Sequence, residues 1–205
     1  MKICQEPLPG VSHGMHRRLN QLGPFKHAVS VGCGRATKEK SLLLNGIVER
    51  MDCFDLADAR LKEARKLMEE AGVLGRARLV CDDALEGTPT DKYDLVYWHS
   101  SLHHMPDVFA AVHWSREVLK PGGVFAMREY TGPTRWQWTD RNLKFVNRFR
   151  GALPEKIRPK KTELQRPTID AMIERDPSEA ADSDNILPAV REVFPVAEIV
   201  PLGGA

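Results

Sequence analysis

Residues 28–56 read AVSVGCGRATKEKSLLLNGIVERMDCFDL, and this stretch decides the fold. Ala28–Val31 is a short apolar run that ends in glycine, the pattern of a buried strand. Gly32 and Gly34, flanking Cys33, let the backbone turn tightly and come close to a ligand. Lys38–Leu44 is helical and stops at Asn45-Gly46. Arg50–Phe54 supplies a second strand, and Asp55 stands at its carboxyl end. Strand, glycine turn, helix, strand and acid open a nucleotide-binding βαβ unit. The dinucleotide fingerprint G-x-G-x-x-G would place its third glycine at position 37, where this chain has Thr37. That departure disfavours an NAD-dependent oxidoreductase.

The same alternation continues outward. Ala57–Ala71 is a helix with Leu61, Ala64, Leu67, Met68 and Ala71 on one face, followed by Gly72 as a stop. Arg78–Cys81 and Tyr93–Trp98 read as third and fourth strands. Asp107 caps a helix that runs to about Leu119. Pro121-Gly-Gly123 then turns the chain into a fifth strand, Val124–Tyr130. Strands alternating with helices imply an α/β fold with a doubly wound, mostly parallel sheet covered by helices on both faces. Ligands of such sheets bind beyond the carboxyl ends of the strands.

One domain is expected over residues 1–205. An irregular arm over 1–27 holds a short helix around His16–Leu22, and the cofactor-binding core covers 28–130. A helical insertion or lid covers 131–195, with helices over Arg141–Ala152 and from Asp176-Pro-Ser-Glu179. A terminal strand, Val196–Val200, falls within 196–205, and the last strand of the sheet is missing.

Composition is that of an ordinary soluble globular protein, with 42% hydrophobic and 28% charged residues. A formal net charge of +2 makes no case for nucleic-acid binding. The basic stretch Lys156–Arg166 (Lys156, Arg158, Lys160, Lys161 and Arg166) reads as solvated surface. No segment is apolar and long enough to cross a bilayer, and the N-terminus lacks a signal-peptide run, which favours the cytoplasm. The four cysteines, Cys4, Cys33, Cys53 and Cys81, form no CxxC pair and read as buried, reduced thiols.

The residues after each strand carry the chemistry. Asp55 can accept both hydroxyls of a ribose, although an acid there can equally cap the following helix. Asp82 and Asp83 follow the third strand; Asp83 can accept from an adenine amino group, or either acid can simply form a turn. His99, His103 and His104 follow the fourth strand. No acid or cysteine close to them in sequence completes a ligand set, so no metal is expected. His103 or His104 suits a base or a substrate-positioning group, since imidazole exchanges protons near neutral pH.

Together the segments VSVGCGRA, MDCFDL, LVCDDA, YDLVYWHSSLHHMPD and VLKPGGVFAMREY resemble the class I, Rossmann-like S-adenosylmethionine-dependent methyltransferases. The resemblance covers about Ala28–Tyr130, and its most specific part is Leu-His-His-x-Pro-Asp followed by Val-Leu-Lys-Pro-Gly-Gly. It implies S-adenosylmethionine as cofactor and S-adenosylhomocysteine as product. Gly32, Cys33 and Gly34 would then approach the methionine and ribose part, with Asp55 on the ribose and Leu56 on the adenine. Asp83 and Ala84, beside Asp82, would lie at the adenine edge, and His99 would flank the methionine moiety.

The family pattern usually begins its glycine motif with an acid, where this chain has Ser30, and has Gly where Ala36 stands. The segment Arg128–Asp140 is similar to a subgroup with a helical insertion over the active site. Glu129 and Tyr130 would then face the substrate, and Trp136 and Trp138 would form an apolar wall. The implied function is methyl transfer to a small-molecule acceptor at oxygen or carbon, with His103, His104 or Glu129 taking a proton. The rival readings are a non-catalytic scaffold that kept the cofactor fold and, less favoured, an RNA methyltransferase. The latter lacks the Asn/Asp-Pro-Pro-Tyr/Phe motif of base-amine methylation.

Overall fold

The computed structural model describes residues 11–86, 92–160 and 163–202. Cys4 and Lys161 lie outside them. Five strands form one parallel sheet: β1 (Phe25–Val31), β2 (Val48–Phe54), β3 (Ala77–Val80), β4 (Tyr93–His99) and β5 (Leu119–Arg128), in the order β3-β2-β1-β4-β5. The order reverses between β1 and β4, so the crevice at this switch point opens beyond Val31 and His99.

Side chains alternate across the sheet with the two-residue period of a strand. Leu95 and Tyr97 of β4 face one core with Leu42, Leu43, Met51 and Met68. Val96 and Trp98 face the other, with Val112, Trp114, Ile186 and Val190. The first core is covered by α1 (Val11–Leu22), α2 (Thr37–Leu44) and α3 (Asp58–Glu70), the second by α4 (Val108–Val118) and α7 (Ile186–Val193). Asp107 caps α4 as expected, its Oδ1 accepting from the Ala110 amide at 2.9 Å.

Three expectations are corrected. The described part of the arm, residues 11–27, is not irregular: α1 begins at Val11, earlier than the expected His16, and β1 at Phe25. Met15 and Leu19, four residues apart, bury one face of α1 in the first core. No helix starts at Asp176. α5 (Asp140–Ala152) and α6 (Ile169–Arg175) come first, then 177–180 form a turn, and the next helix is α7. The chain leaves helical geometry there because Ala180 adopts φ 50° and the Ala181 amide donates to the His103 carbonyl. α7 buries Ile186, Ala189 and Val190, so it belongs to the core and not to a lid.

The third correction concerns Val196–Val200, which forms no strand. Pro195 and Pro201 bracket this segment and remove ladder donors, and Phe194 is stacked on Phe125 with ring centroids 4.7 Å apart. Among the described residues, β5 is paired on one side only, and no helix is long and apolar enough to cross a membrane.

At the amino end of the sheet, away from the switch point, Asp52 is buried among donors. Arg78 reaches it through Nε (3.0 Å) and Nη2 (2.7 Å), the Tyr93 hydroxyl donates at 2.9 Å, and His27 Nε2 lies at 3.1 Å. Burial alone would raise this carboxyl. The Arg78 and Tyr93 hydrogen bonds and the nearby His27 and Arg78 charges outweigh it and hold the carboxyl below its ordinary 3.8. A lowered folded-state value means Asp52 stabilises fully above 3.8 and loses that contribution as pH falls through the folded value. Asp52→Ala is expected to cost roughly 3 kcal/mol, because it removes the buried acceptor that Arg78, Tyr93 and His27 share. Urea unfolding across the acid range checks both points: the variant should be less stable at neutral pH and should lose less on acidification.

Candidate active site

The glycine turn is built by positive backbone angles: Gly32 has φ 66°, Gly34 φ 55° and Ala36 φ 52°. A Cβ on Gly32 would lie 2.6 Å from Cβ of Ser101, so only hydrogen fits there. A Cβ on Gly34 would meet no atom within 4 Å. Gly34 therefore faces open space, the room that a ligand approaching its backbone requires. Asp55 turns toward this loop, its Oδ2 accepting from the Gly34 amide at 2.7 Å and its Oδ1 from the Ala57 amide at 2.9 Å. Each oxygen keeps a further lone pair for a ligand hydroxyl. Leu56, next in sequence, is 73% exposed and offers an apolar side chain beside the turn. These residues fit a nucleoside cofactor.

The acids after β3 fold locally. Asp82 is exposed, and its Oδ1 accepts from the Asp83 amide at 2.9 Å; Asp83 Oδ1 accepts from the Leu85 amide at 2.9 Å. Ala84 packs against the second core. Among the described residues the thiols are free, and Cys53 is buried, Cys33 half-buried and Cys81 exposed, which corrects the expectation of buried thiols at Cys33 and Cys81. Cys81 follows β3 at its tip, where its Sγ lies 3.7 Å from the Leu56 carbonyl.

Ser30, where an acid was expected, donates its hydroxyl to Glu39 Oε1 at 2.8 Å. Glu39 belongs to α2 and is buried, and desolvation pushes its carboxyl up despite the hydrogen bonds and Lys38 charge that oppose it. The carboxyl thus comes from the helix behind the glycine turn instead of from the strand. Sequence reading passed over Glu39, although its place on the apolar side of α2, beside Leu42 and Leu43, was a signal. Ser30→Asp would set two carboxyl groups side by side in this enclosed space. It is expected to lower stability on the order of 2 kcal/mol, measurable as a fall in the thermal midpoint.

After β4 the chain makes a strained turn. Ser100 adopts φ 56° and is pinned by its amide to the Arg128 carbonyl (2.9 Å) and by its Oγ to Arg128 Nη1 (3.0 Å). Ser101 ties the turn to β1 by donating its hydroxyl to the Val31 carbonyl at 2.7 Å. Glu129, at the end of β5, organises the remainder. Its Oε1 accepts from the Ser101 (2.6 Å) and Leu102 (2.8 Å) amides, and its Oε2 accepts from His103 Nδ1 at 2.6 Å. The Glu129 side chain is wholly enclosed. Both of its oxygens are thus engaged by the turn and by His103.

Burial opposes charge on His103, but the Glu129 hydrogen bond and the Glu129, Glu179 and Asp176 charges prevail and raise its pKa. Burial, with Arg128 and Lys38, lowers that of His99 and keeps its ring neutral at the crevice. His104 Nδ1 lies 2.9 Å from Ser178 Oγ.

A cavity of about 1440 Å³ begins at this turn and runs along the open side of β5. Its wall includes His103, Glu129, Tyr130, Trp138, Phe145 and Phe149. It touches none of Gly32, Gly34, Asp55 or Leu56, and the Ser100–His103 turn borders both spaces, with Ser101 against Gly32 and with Ser100 and His103 on the cavity wall. Tyr130 presents its ring, since its hydroxyl donates to the Pro133 carbonyl at 3.0 Å. Trp136 and Trp138 stack with centroids 5.8 Å apart, and only Trp138 lines the cavity.

The comparisons agree with this geometry. Residues 28–123 match a methyltransferase domain family. Over 98 residues the chain is 30% identical to a ubiquinone biosynthesis O-methyltransferase of Azotobacter vinelandii, covering 48% of this chain and 41% of that protein. Over 109 residues it is 27% identical to a 27-O-demethylrifamycin SV methyltransferase of Amycolatopsis mediterranei, covering 50% and 38%. The matches thus span about two fifths of these relatives' length. A structure assigned as a methyltransferase from Bacillus halodurans superposes with TM-score 0.61 at 21% identity, over 90% of this chain and 68% of that one. An S-adenosylmethionine-dependent methyltransferase of Thiobacillus denitrificans, solved with S-adenosylhomocysteine, gives 0.51 at 17% identity, over 60% and 49%. At these identities the superpositions speak to the fold. The glycine turn, the acid that faces it and the match over residues 28–123 make this part of the chain similar to the S-adenosylmethionine-dependent methyltransferase domains.

Proposed function

We propose that the protein transfers the methyl group of S-adenosylmethionine to an oxygen of a small molecule. The observation that carries this reading is Asp55, whose carboxylate faces the glycine turn and keeps lone pairs for a ribose. Gly32, Cys33 and Gly34 would border the methionine and ribose portion, Leu56 and the Asp82–Ala84 turn the adenine, and His99 the methionine end. The bound cofactor supplies an already activated methyl group on sulfur. The protein's task is to hold the acceptor close, aligned and dry. The cavity along β5, with its Tyr130, Trp138, Phe145 and Phe149 wall, suits an acceptor with a large apolar part.

An oxygen acceptor must also give up a proton. His103, oriented by Glu129, lines the polar end of the cavity, where it would receive the acceptor hydroxyl and draw that proton off; His104 stands behind it, its ring 4.3 Å from that of His103. The names of the two O-methyltransferase relatives favour oxygen over carbon. Calorimetric titration with S-adenosylmethionine, followed by a methyl-transfer assay on small hydroxylated acceptors, tests the proposal. Saturable binding with turnover supports it. No binding at millimolar cofactor leaves the non-catalytic reading in its place, and turnover on RNA alone would move the acceptor to nucleic acid.

A further inference from the structure

We propose that His103, His104 and Glu179 form a divalent transition-metal site beside the β5 cavity, which His103 lines. The expectation of no metal rested on the lack of an acid near the histidines in sequence. The fold supplies one from 75 positions away: a ring nitrogen of each histidine and a Glu179 oxygen lie within 4.8 Å of one another. His103 Nε2 is 3.7 Å from Glu179 Oε1. Ligands around a tetrahedral zinc ion stand roughly 3.3 Å apart, so modest side-chain rotation closes the set.

The surrounding hydrogen bonds present both rings for ligation. Glu129 is acceptor-only, so His103 Nδ1 carries the proton and donates to it. Ser178 gives its single hydroxyl proton to Asp176 Oδ1 at 2.6 Å, so it accepts from His104 Nδ1 at 2.9 Å. In the form that can ligate a metal, each ring donates from Nδ1 and keeps an Nε2 lone pair, each backed by a polar partner and, one step further for His104, by a carboxylate. Carboxylate-backed imidazole is the outer arrangement of protein zinc sites. Glu129, Asp176 and Glu179 give the neighbourhood the negative charge that a cation needs, and Arg135 is held on the Glu179 carbonyl, not its carboxylate.

Two nitrogens and one oxygen leave a fourth position open. This is the ligand count of a catalytic site, and one of its ligands, His103, lines the cavity assigned to the acceptor. The function of the site in methyl transfer rests on the cofactor reading above but replaces its imidazole base: ligated rings have no lone pair left for a proton, and an acceptor hydroxyl bound at the open position would lose its proton to water more readily. The existence of the site does not depend on that reading.

The test uses the untagged, reduced full chain, stripped with chelator and titrated with Co²⁺ by visible absorption and with Zn²⁺ by calorimetry, without S-adenosylmethionine. One equivalent of Co²⁺ should bind with the intense visible bands of a four- or five-coordinate ion and no thiolate charge-transfer band. His104→Ala and Glu179→Gln should each weaken Zn²⁺ binding at least tenfold. Glu129→Gln, which leaves the ligands in place, should weaken it by roughly ten- to a hundredfold. The variants' circular dichroism is read alongside. Absence of saturable binding, a thiolate band, or unchanged affinity in a folded Glu179→Gln protein overturns the site. Because binding is read without cofactor, its failure leaves methyl transfer standing, and failure of cofactor binding leaves the metal site standing.

Discussion

Asp55→Ala is expected to weaken S-adenosylmethionine binding at least a hundredfold while the protein stays folded. In the proposed cofactor pose the carboxylate holds two ribose hydroxyls, and each hydrogen bond to a charged group is worth about 1.5–3 kcal/mol. Losing both exceeds the roughly 2.7 kcal/mol that a hundredfold change represents. The variant also frees the Gly34 and Ala57 amides. Asp55 stands at the opening of α3, where water replaces a lost acceptor, so that cost is about 1 kcal/mol. Titration calorimetry beside a thermal melt separates the two effects. A loss smaller than tenfold would place the ribose elsewhere and remove the central support for the cofactor assignment.

The second large effect is expected at Glu129. Its two oxygens hold three donors in full enclosure, and those donors build the turn that carries His103. Glu129→Ala leaves two amides and an imidazole without acceptors and should cost roughly 3–5 kcal/mol. Methyl-transfer kcat/KM should fall about a thousandfold, because His103 loses both its orientation and its proton partner. Glu129→Gln, which retains the shape and one acceptor oxygen, should recover much of the stability but little of the rate. A melt unchanged by the alanine substitution would show that the turn is held by other means.

The parts of this molecule that could be read in its sequence are those governed by local rules. The alternation of apolar runs, the glycine turn, the Asp107 cap and the acid after β2 each depend on neighbours within about twenty residues. The resemblance over residues 28–130 drew on the same segments. What escaped is set by distant partners. Glu39 looked like one of many helix charges until Ser30 was seen beside it. Glu129 looked like a base, and only the fold shows that the amides of Ser101 and Leu102 claim it. Val196–Val200 has a strand's composition, but pairing is decided by the prolines at its ends and the stacking of Phe194 on Phe125. Asp176-Pro-Ser-Glu179 carries a helix-start pattern, yet its side chains and the backbone that follows are spent on the histidine turn.

That last contact has a dynamic consequence. The Ala181 amide bonds the His103 carbonyl, and Ser178 bonds His104, so residues 176–181 and 101–104 cannot separate without breaking each other's supports. The next helix, α7, is rooted in the second core through Ile186 and Val190. Opening of the polar end of the cavity is therefore tied to loosening of a core helix, and the two turns should behave as one cooperative unit. Their amides should exchange with deuterium at a common, slow rate, well apart from the faster exchange of the exposed α5.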